Sequence, residues 1–396
     1  MPAPYAEIVL AIHTSPTAAA IVVTGAGSRA VSWLMAEAGA SRTVLDAQIP
    51  YARPALDEYV GARAEQHVSA VEAAAMAEEA FWRGLKLDAE SRPDQIGTRP
   101  VVGLACTATI ATDRVKRGEH RSHVAVRTAT DLLTASIVFD KGARDRDGEE
   151  EVASRLIVNL LAQACGVPDK LPVDIGEADR LTQGSVSVSG PLSAVVTGSA
   201  DAAAIDLDGA IHATAPEGCA VIAGSFNPVH DGHWRLAEVA ADISGKELIF
   251  EISVTNVEKP PLDLPVLQAR LAQMRRQRRM AITRAPTFVE KSRLMPGSTF
   301  VIGYDTAVRL FDDRFYPPYD AGADIESTET AWGVALSELR RNGCDFLVAG
   351  RATAQGFQTL DDLDVPDAYA GMLTQIPESA FRFDGSSTEI RESGAG

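Results

Sequence analysis

Two histidines stand three positions apart in the segment Val221-Ile222-Ala223-Gly224-Ser225-Phe226-Asn227-Pro228-Val229-His230-Asp231-Gly232-His233. An apolar, strand-like run enters a turn of small residues. The turn then feeds a helix starting near His233, over Trp234-Arg235-Leu236-Ala237-Glu238-Val239-Ala240. The start of a helix leaves backbone N–H groups unpaired and carries about half a positive charge, so it attracts phosphate. Gly224 and Gly232 let the backbone approach a ligand where a Cβ would clash. At that opening His230 and His233 can both donate hydrogen bonds to a polyphosphate, which is useful where charge builds on a transferring phosphoryl group and its leaving pyrophosphate. Taken alone, the pair could equally bind a metal or sit on a surface.

A second signature stands far downstream, Gly385-Ser386-Ser387-Thr388-Glu389-Ile390-Arg391. Hydroxyls and backbone amides at a helix start, with an arginine one turn on, make a phosphate clamp. Ser386 with Glu389 also reads as a capping box, although a cap has no need of Arg391. Three further residues fall at strand ends. Lys259 follows the apolar run Leu248 to Val254, on the sheet edge where open α/β folds bind ligands, and it reads equally as a surface lysine. Thr299-Phe300-Val301-Ile302-Gly303-Tyr304-Asp305 is a strand ending in Gly-x-Asp, where Asp305 by itself can cap a helix from Thr306 to Phe311. Asp345-Phe346-Leu347-Val348-Ala349-Gly350-Arg351 is a strand delivering an arginine to the same edge.

These motifs together resemble the HxGH nucleotidyltransferase superfamily, and in their details the nicotinate or nicotinamide mononucleotide adenylyltransferases. The likeness covers roughly the last 170 residues, a size normal for one domain. It implies that His230, His233, Lys259 and Arg391 carry the chemistry, with His230 and His233 holding the triphosphate. It also implies that Gly224, Ser225, Phe226, Asn227, Gly303, Asp305, Arg351, Ser386, Ser387 and Thr388 bind nucleotide. The partners implied are ATP and a mononucleotide whose phosphate attacks in line. Mg²⁺ would come with ATP and keep most of its water, so no metal ligands are assigned among the side chains. The chain stops at Gly396, where that family usually continues into further helices, and the loop from Arg314 to Thr328 is its own. A cytidylyl- or pantetheine-phosphate adenylyltransferase, or a non-catalytic sensor of pyridine nucleotides, is the alternative.

The first part of the chain resembles a different family. Cys106-Thr107-Ala108-Thr109, Thr112-Asp113-Arg114 and Lys116-Arg117-Gly118-Glu119-His120-Arg121, with Gly39-Ala40-Ser41 and the segment at Tyr51, are similar to the C-terminal domain of competence/damage-inducible proteins. Members of that family hydrolyse the amide of nicotinamide mononucleotide. Where they carry a nucleophilic serine this chain has Val22, and Leu56 stands in place of a lysine. Valine offers no nucleophile, and Thr24 without a nearby base is a weak substitute. The resemblance therefore implies a degenerate amidase domain able to retain mononucleotide binding.

The elements that must position these residues read as α/β throughout. Strands are expected at Ala19–Val23, Val101–Ala105 and Ala135–Phe139. Helices are expected at Ser28–Ala38, Val68–Leu85 and Glu149–Ala164, the last stopped by Gly166 and Pro168. Residues 1–167 form the amidase-like domain in this reading. Residues 168–217 form a short β-rich connector, with β-like runs at Ser185–Val188 and Ala194–Val196, and 218–396 a Rossmann-like parallel-sheet nucleotidyltransferase domain. A chain of 396 residues fits two or three domains. The net charge of −17 argues against general nucleic-acid binding. Arg275-Arg276-Gln277-Arg278-Arg279 reads as the solvated end of a helix. No run approaches the ~18 apolar residues of a membrane span. Met1 to Glu7 lacks the basic and apolar regions of a signal peptide, and the four cysteines form no CxxC pair, so a cytoplasmic protein is expected. The sequence is silent on homo-oligomer formation.

Overall fold

The computed structural model describes residues 4–114, 117–188, 190–256, 260–315, 330–353 and 356–383. The chain divides into two compact α/β units, Met1–Ser189 and Gly190–Gly396.

The first unit is built on β1 (Ala18–Thr24), β2 (Val44–Gln48), β3 (Val101–Thr109), β4 (Arg121–Arg127), β5 (Asp131–Val138) and β6 (Arg180–Ser187), in the order β2-β1-β3-β4-β5-β6. β1 runs parallel to β2 and β3, and the remaining pairs are antiparallel. β1 is apolar up to its last residue and wholly buried, as a strand covered on both faces must be. One face packs on the helices Ala6–Thr14, Ser28–Ala36 and Arg146–Ala164, and the other on Ala70–Ser91. The last of these starts where Ser69 Oγ accepts the Glu72 N–H at 3.1 Å. It lies so close to β3 that a Cβ on Gly103 would fall 2.1 Å from the Ala77 carbonyl oxygen.

The second unit holds β7 (Ala202–Ile205), β8 (Ile211–His212), β9 (Ala220–Ala223), β10 (Leu248–Ser253), β11 (Arg279–Thr283), β12 (Thr299–Gly303), β13 (Asp345–Ala349) and β16 (Leu373–Ile376) in one sheet. Its order is β16-β13-β12-β9-β10-β11-β7-β8, and the two short strands β14 (Arg351–Thr353) and β15 (Gly356–Gln358) pair separately. The six strands from β16 to β11 are parallel, and β7 and β8 add an antiparallel edge. β9 is central, with β10 and β11 to one side and β12 and β13 to the other. The strand order therefore reverses at its carboxyl end, where α/β sheets open a crevice for ligands.

Residues 168–217 supply both sheets rather than a connector of their own. β6 pairs with β5 along its length, while β7 joins β11. Unpaired strand edges favour such addition, since it satisfies their N–H and C=O groups. Ala194–Val196, a β-like run by composition, lies inside the helix Pro191–Thr197. Pro191 at its first position and left-handed Gly198 just beyond its end impose the start and stop that outweigh the β-branched residues. Arg275 to Arg278 follow the helix Leu264–Ala272 in a turn, and Arg279 opens β11, bonded to Asp206 at 2.7 Å and Glu247 at 3.2 Å. Among the described residues no helix is long and apolar enough to cross a membrane.

Candidate active site

The carboxyl end of β9 releases the chain into the turn Gly224–Val229. Phe226 sits in the left-handed region at φ 42°, uncommon for a bulky residue, and its ring is buried beneath the turn. The ring packs on Phe250 at 4.9 Å and meets the edge of His233 at 5.0 Å. A Cβ on Gly224 would lie 2.9 Å from that ring, so the backbone can fold over it only as glycine. Phe226 was expected among the nucleotide-binding residues; its side chain supports the turn from below. Gln273 holds the turn from one side: its Oε1 accepts the Val229 N–H at 3.1 Å and its Nε2 donates to the Phe226 carbonyl at 3.2 Å. Arg270 Nη1 donates to the Ser225 carbonyl at 3.2 Å.

His230 is the N-cap of the helix Asp231–Ser244, with extended backbone. Its N–H donates to Nδ1 of His233 at 3.2 Å. A ring nitrogen that accepts carries no proton, so neutral His233 bears its proton on Nε2 and presents a donor there. Burial, reinforced by neighbouring His230, lowers the His233 pKa to about 3. Burial also lowers His230, against the pull of Asp231. The two rings lie 3.8 Å apart between centroids. Phe383 stacks on His230 at 5.3 Å, and a Cβ on Gly232 would come within 2.6 Å of the same phenyl ring. Phe383 stands two positions before Gly385, so the chain passes the histidines immediately before the second motif. Ser386, Ser387, Thr388 and Arg391 of that motif lie outside the described residues, as does Lys259.

Gly303 ends β12 next to Ala349 at the end of β13. Asp305 lies in the first turn of the helix Tyr304–Arg309, whose N-cap is Gly303, and it forms an ion pair with Arg351. The helix begins two residues earlier than expected, which moves Asp305 past the capping position. The expected nucleotide contacts Asp305 and Arg351 thus meet at one edge of the sheet, both substantially exposed.

In the first unit Val22 is wholly buried within β1, and Leu56 belongs to the same buried cluster. The helix Ser28–Ala36 has its first N–H groups already engaged. Glu150 accepts from Gly27 N at 3.0 and 3.1 Å and from Arg29 N at 3.1 Å, and the Ser28 hydroxyl donates to it at 3.0 Å. Burial raises the Cys106 thiol to about 12, which makes it inert. A cavity of about 480 Å³ lies beside Thr24, Tyr51, Arg53, His67 and Arg121. His67 Nε2 is 2.8 Å from Asp57 Oδ1.

A match to a protein-family model begins at the second residue of β9 and runs through the Ser386–Arg391 motif. Residues 221–393 match the cytidylyltransferase-like family. No curated protein matches the chain. Solved structures similar to part of it include the competence/damage inducible protein CihA from Agrobacterium tumefaciens, 19% identical, covering 42% of this chain and 98% of that one with a TM-score of 0.33. Competence-damaged protein (CinA) superfamily proteins from Escherichia coli (14% identity, 41% and 88% covered, TM-score 0.31) and Klebsiella pneumoniae (12% identity, 41% and 96%, TM-score 0.30) are also similar.

The matched region also contains groups that motif reading missed. A cavity of about 390 Å³ opens beside Gly224, Ser225 and Asn227. Glu251 and Lys291 line it. Both are almost wholly buried, and Lys291 Nζ donates to Glu251 at 2.7 and 2.8 Å. A carboxylate inside the apolar run Leu248–Val254 was the one sign of this pair in the sequence. Gln273 left no such sign, since nothing in its own neighbourhood marks which turn it will bind.

Proposed function

We propose that the domain transfers the adenylyl group of ATP to the phosphate of a mononucleotide, nicotinate or nicotinamide mononucleotide, releasing pyrophosphate in NAD biosynthesis. The cytidylyltransferase-like match supports nucleotidyl transfer as the general chemistry. The observation that carries phosphoryl-group chemistry at this site is the tautomer of His233, whose Nδ1 accepts the His230 N–H at the start of a helix. The choice of ATP and a pyridine mononucleotide rests on the resemblance of the Ser386–Arg391 motif.

The reaction requires no protein nucleophile. A 5′-phosphate oxygen of the acceptor attacks the α-phosphorus of ATP, the bond to the bridging oxygen breaks, and pyrophosphate leaves with that electron pair. Catalysis is then positioning and neutralisation of charge. His233 Nε2–H donates to the charge that develops on the transferring phosphoryl group, and His230 holds the triphosphate beside it. Lys259 and Arg391 neutralise phosphate, Ser386 to Thr388 hold the leaving pyrophosphate, and Asp305 with Arg351 meets the nucleoside. ATP enters as its Mg²⁺ complex. In this reading the protein is cytoplasmic, its partners are these small molecules rather than nucleic acid or membrane, and the first unit binds a pyridine nucleotide without hydrolysing it.

Pyrophosphate release from ATP with each pyridine mononucleotide, beside a panel of other phosphate acceptors and with CTP replacing ATP, tests the reading. Release confined to ATP and a pyridine mononucleotide supports it. The family match favours cytidylyl transfer as the second reading, and turnover with CTP alone would establish that instead.

A further inference from the structure

The Glu251–Lys291 pair sits one residue from the phosphate-binding turn: Glu251 pairs with Ala223 across β10 and β9, and its carbonyl accepts the Gly224 N–H at 3.0 Å. The cavity that the pair lines is continuous with the residues of the turn, Gly224, Ser225 and Asn227, so the ring of an acceptor held at the turn has room there. Phe288, fixed against Phe300 at 5.3 Å and Phe346 at 5.6 Å, lines the same cavity and offers an apolar wall to a flat ring.

The hydrogen-bond inventory of the pair is specific. Glu251 Oε1 accepts from Thr283 Oγ1 at 2.6 Å and from Lys291 at 2.7 Å, while Oε2 accepts from Lys291 at 2.8 Å. An ammonium has three N–H donors and a carboxylate oxygen accepts about two bonds. Among the described residues, one Lys291 N–H and one acceptor position on Oε2 are left without a bond in the pair that lines the cavity. The pair carries no net charge. A second carboxylate placed there would lie against Glu251 in a poorly solvated site, where like charges repel strongly. A primary carboxamide completes both valences, its carbonyl accepting from Lys291 and its NH₂ donating to Oε2.

We propose that Glu251 and Lys291 select the acceptor by its ring substituent, favouring an uncharged carboxamide over a carboxylate. This rests on the acceptor being a pyridine mononucleotide. Calorimetric titration of the full chain with nicotinamide mononucleotide and with nicotinate mononucleotide tests it without depending on turnover, with a second site in the first unit fitted separately as the one that the Glu251 and Lys291 variants leave unchanged. The expected result is binding at least ~10-fold tighter for the carboxamide. Glu251→Gln removes the counter-charge from Lys291 and is expected to reverse the order. The uncharged double variant Glu251→Gln/Lys291→Met, which leaves no lone charge buried, is expected to bring the affinity ratio within about threefold of one. General loss of structure lowers both affinities together and leaves their ratio alone. Tighter binding of the carboxylate to the wild type, a ratio unchanged in both variants, or no binding of either mononucleotide would overturn the proposal. Failure of adenylyl transfer shows separately, as binding without pyrophosphate release.

Discussion

The chemistry proposed for His233 depends on which nitrogen holds its proton. A helix that begins at Asp231 leaves the N-cap N–H of His230 in need of an acceptor, and the imidazole three residues on supplies it. Burial then keeps the ring neutral, which leaves Nε2–H as a donor needing no ionisation. Replacing His233 by alanine is expected to lower turnover by ~10²-fold or more with a smaller change in KM, the scale for losing one donor to developing charge. Steady-state pyrophosphate release checks this, and a variant within a few-fold of wild type would remove His233 from the mechanism. Lys291 poses a different question, because removing it leaves the Glu251 carboxylate buried without its counter-charge, which is costly. Lys291→Met is expected to cost about 3–5 kcal/mol in urea unfolding, and the double change with Glu251→Gln less than the single one. If the single variant is the more stable of the two, the pair is not closed as its distances indicate.

At the scale of elements, the turn is held mainly by a side chain from elsewhere. Gln273 lies just past the helix Leu264–Ala272, is buried, and bonds both ends of Phe226–Val229. Cutting it to alanine leaves a buried N–H and C=O without partners, a loss of about 1–3 kcal/mol. We expect Gln273→Ala to lower unfolding stability by that amount and to raise KM for the nucleoside triphosphate. Unchanged values of both would show that the turn holds its shape without the strap. The secondary structure itself was largely legible. Strand β9 is found as read, and the helix expected at Glu149–Ala164 begins only three residues earlier, because Asp145 caps it. The run Ala194–Val196 was misread, since Pro191 and Gly198 set local boundaries that β-propensity does not see. The supposed connector was misplaced for a non-local reason: which sheet edge a strand joins is decided by partners far along the chain.

For the whole molecule, one buried and three half-buried histidines make stability depend on pH in a fixed direction. His13 and His123 in the first unit and His230 and His233 in the second are all lowered from 6.5, burial being the largest cause in each. Below that value the unfolded chain binds more protons than the folded one, so acidification favours unfolding. Stability from these groups is complete above about pH 6.5 and declines as the pH falls towards their folded values. Denaturant midpoints measured from pH 7.5 to pH 4.5 should fall across this window. A midpoint that rises on acidification would mean that the rings are charged in the folded state.

The sequence by itself determined the α/β class and the strand–turn–helix that carries His230 and His233. It also showed the absence of a nucleophile at Val22. Each is a local property, written in hydrophobic period, glycine placement and residue identity. Only the tertiary structure decided that Phe226 supports the turn from beneath, that Asp305 meets Arg351, and that Phe383 seats on His230. It alone joined Glu251 of β10 to Lys291 across 40 positions of chain. A carboxylate in an apolar strand announces that some partner must exist, because burying it alone is prohibitive. Which partner, and what cavity the two then line, is fixed only when the strands take their places in the sheet.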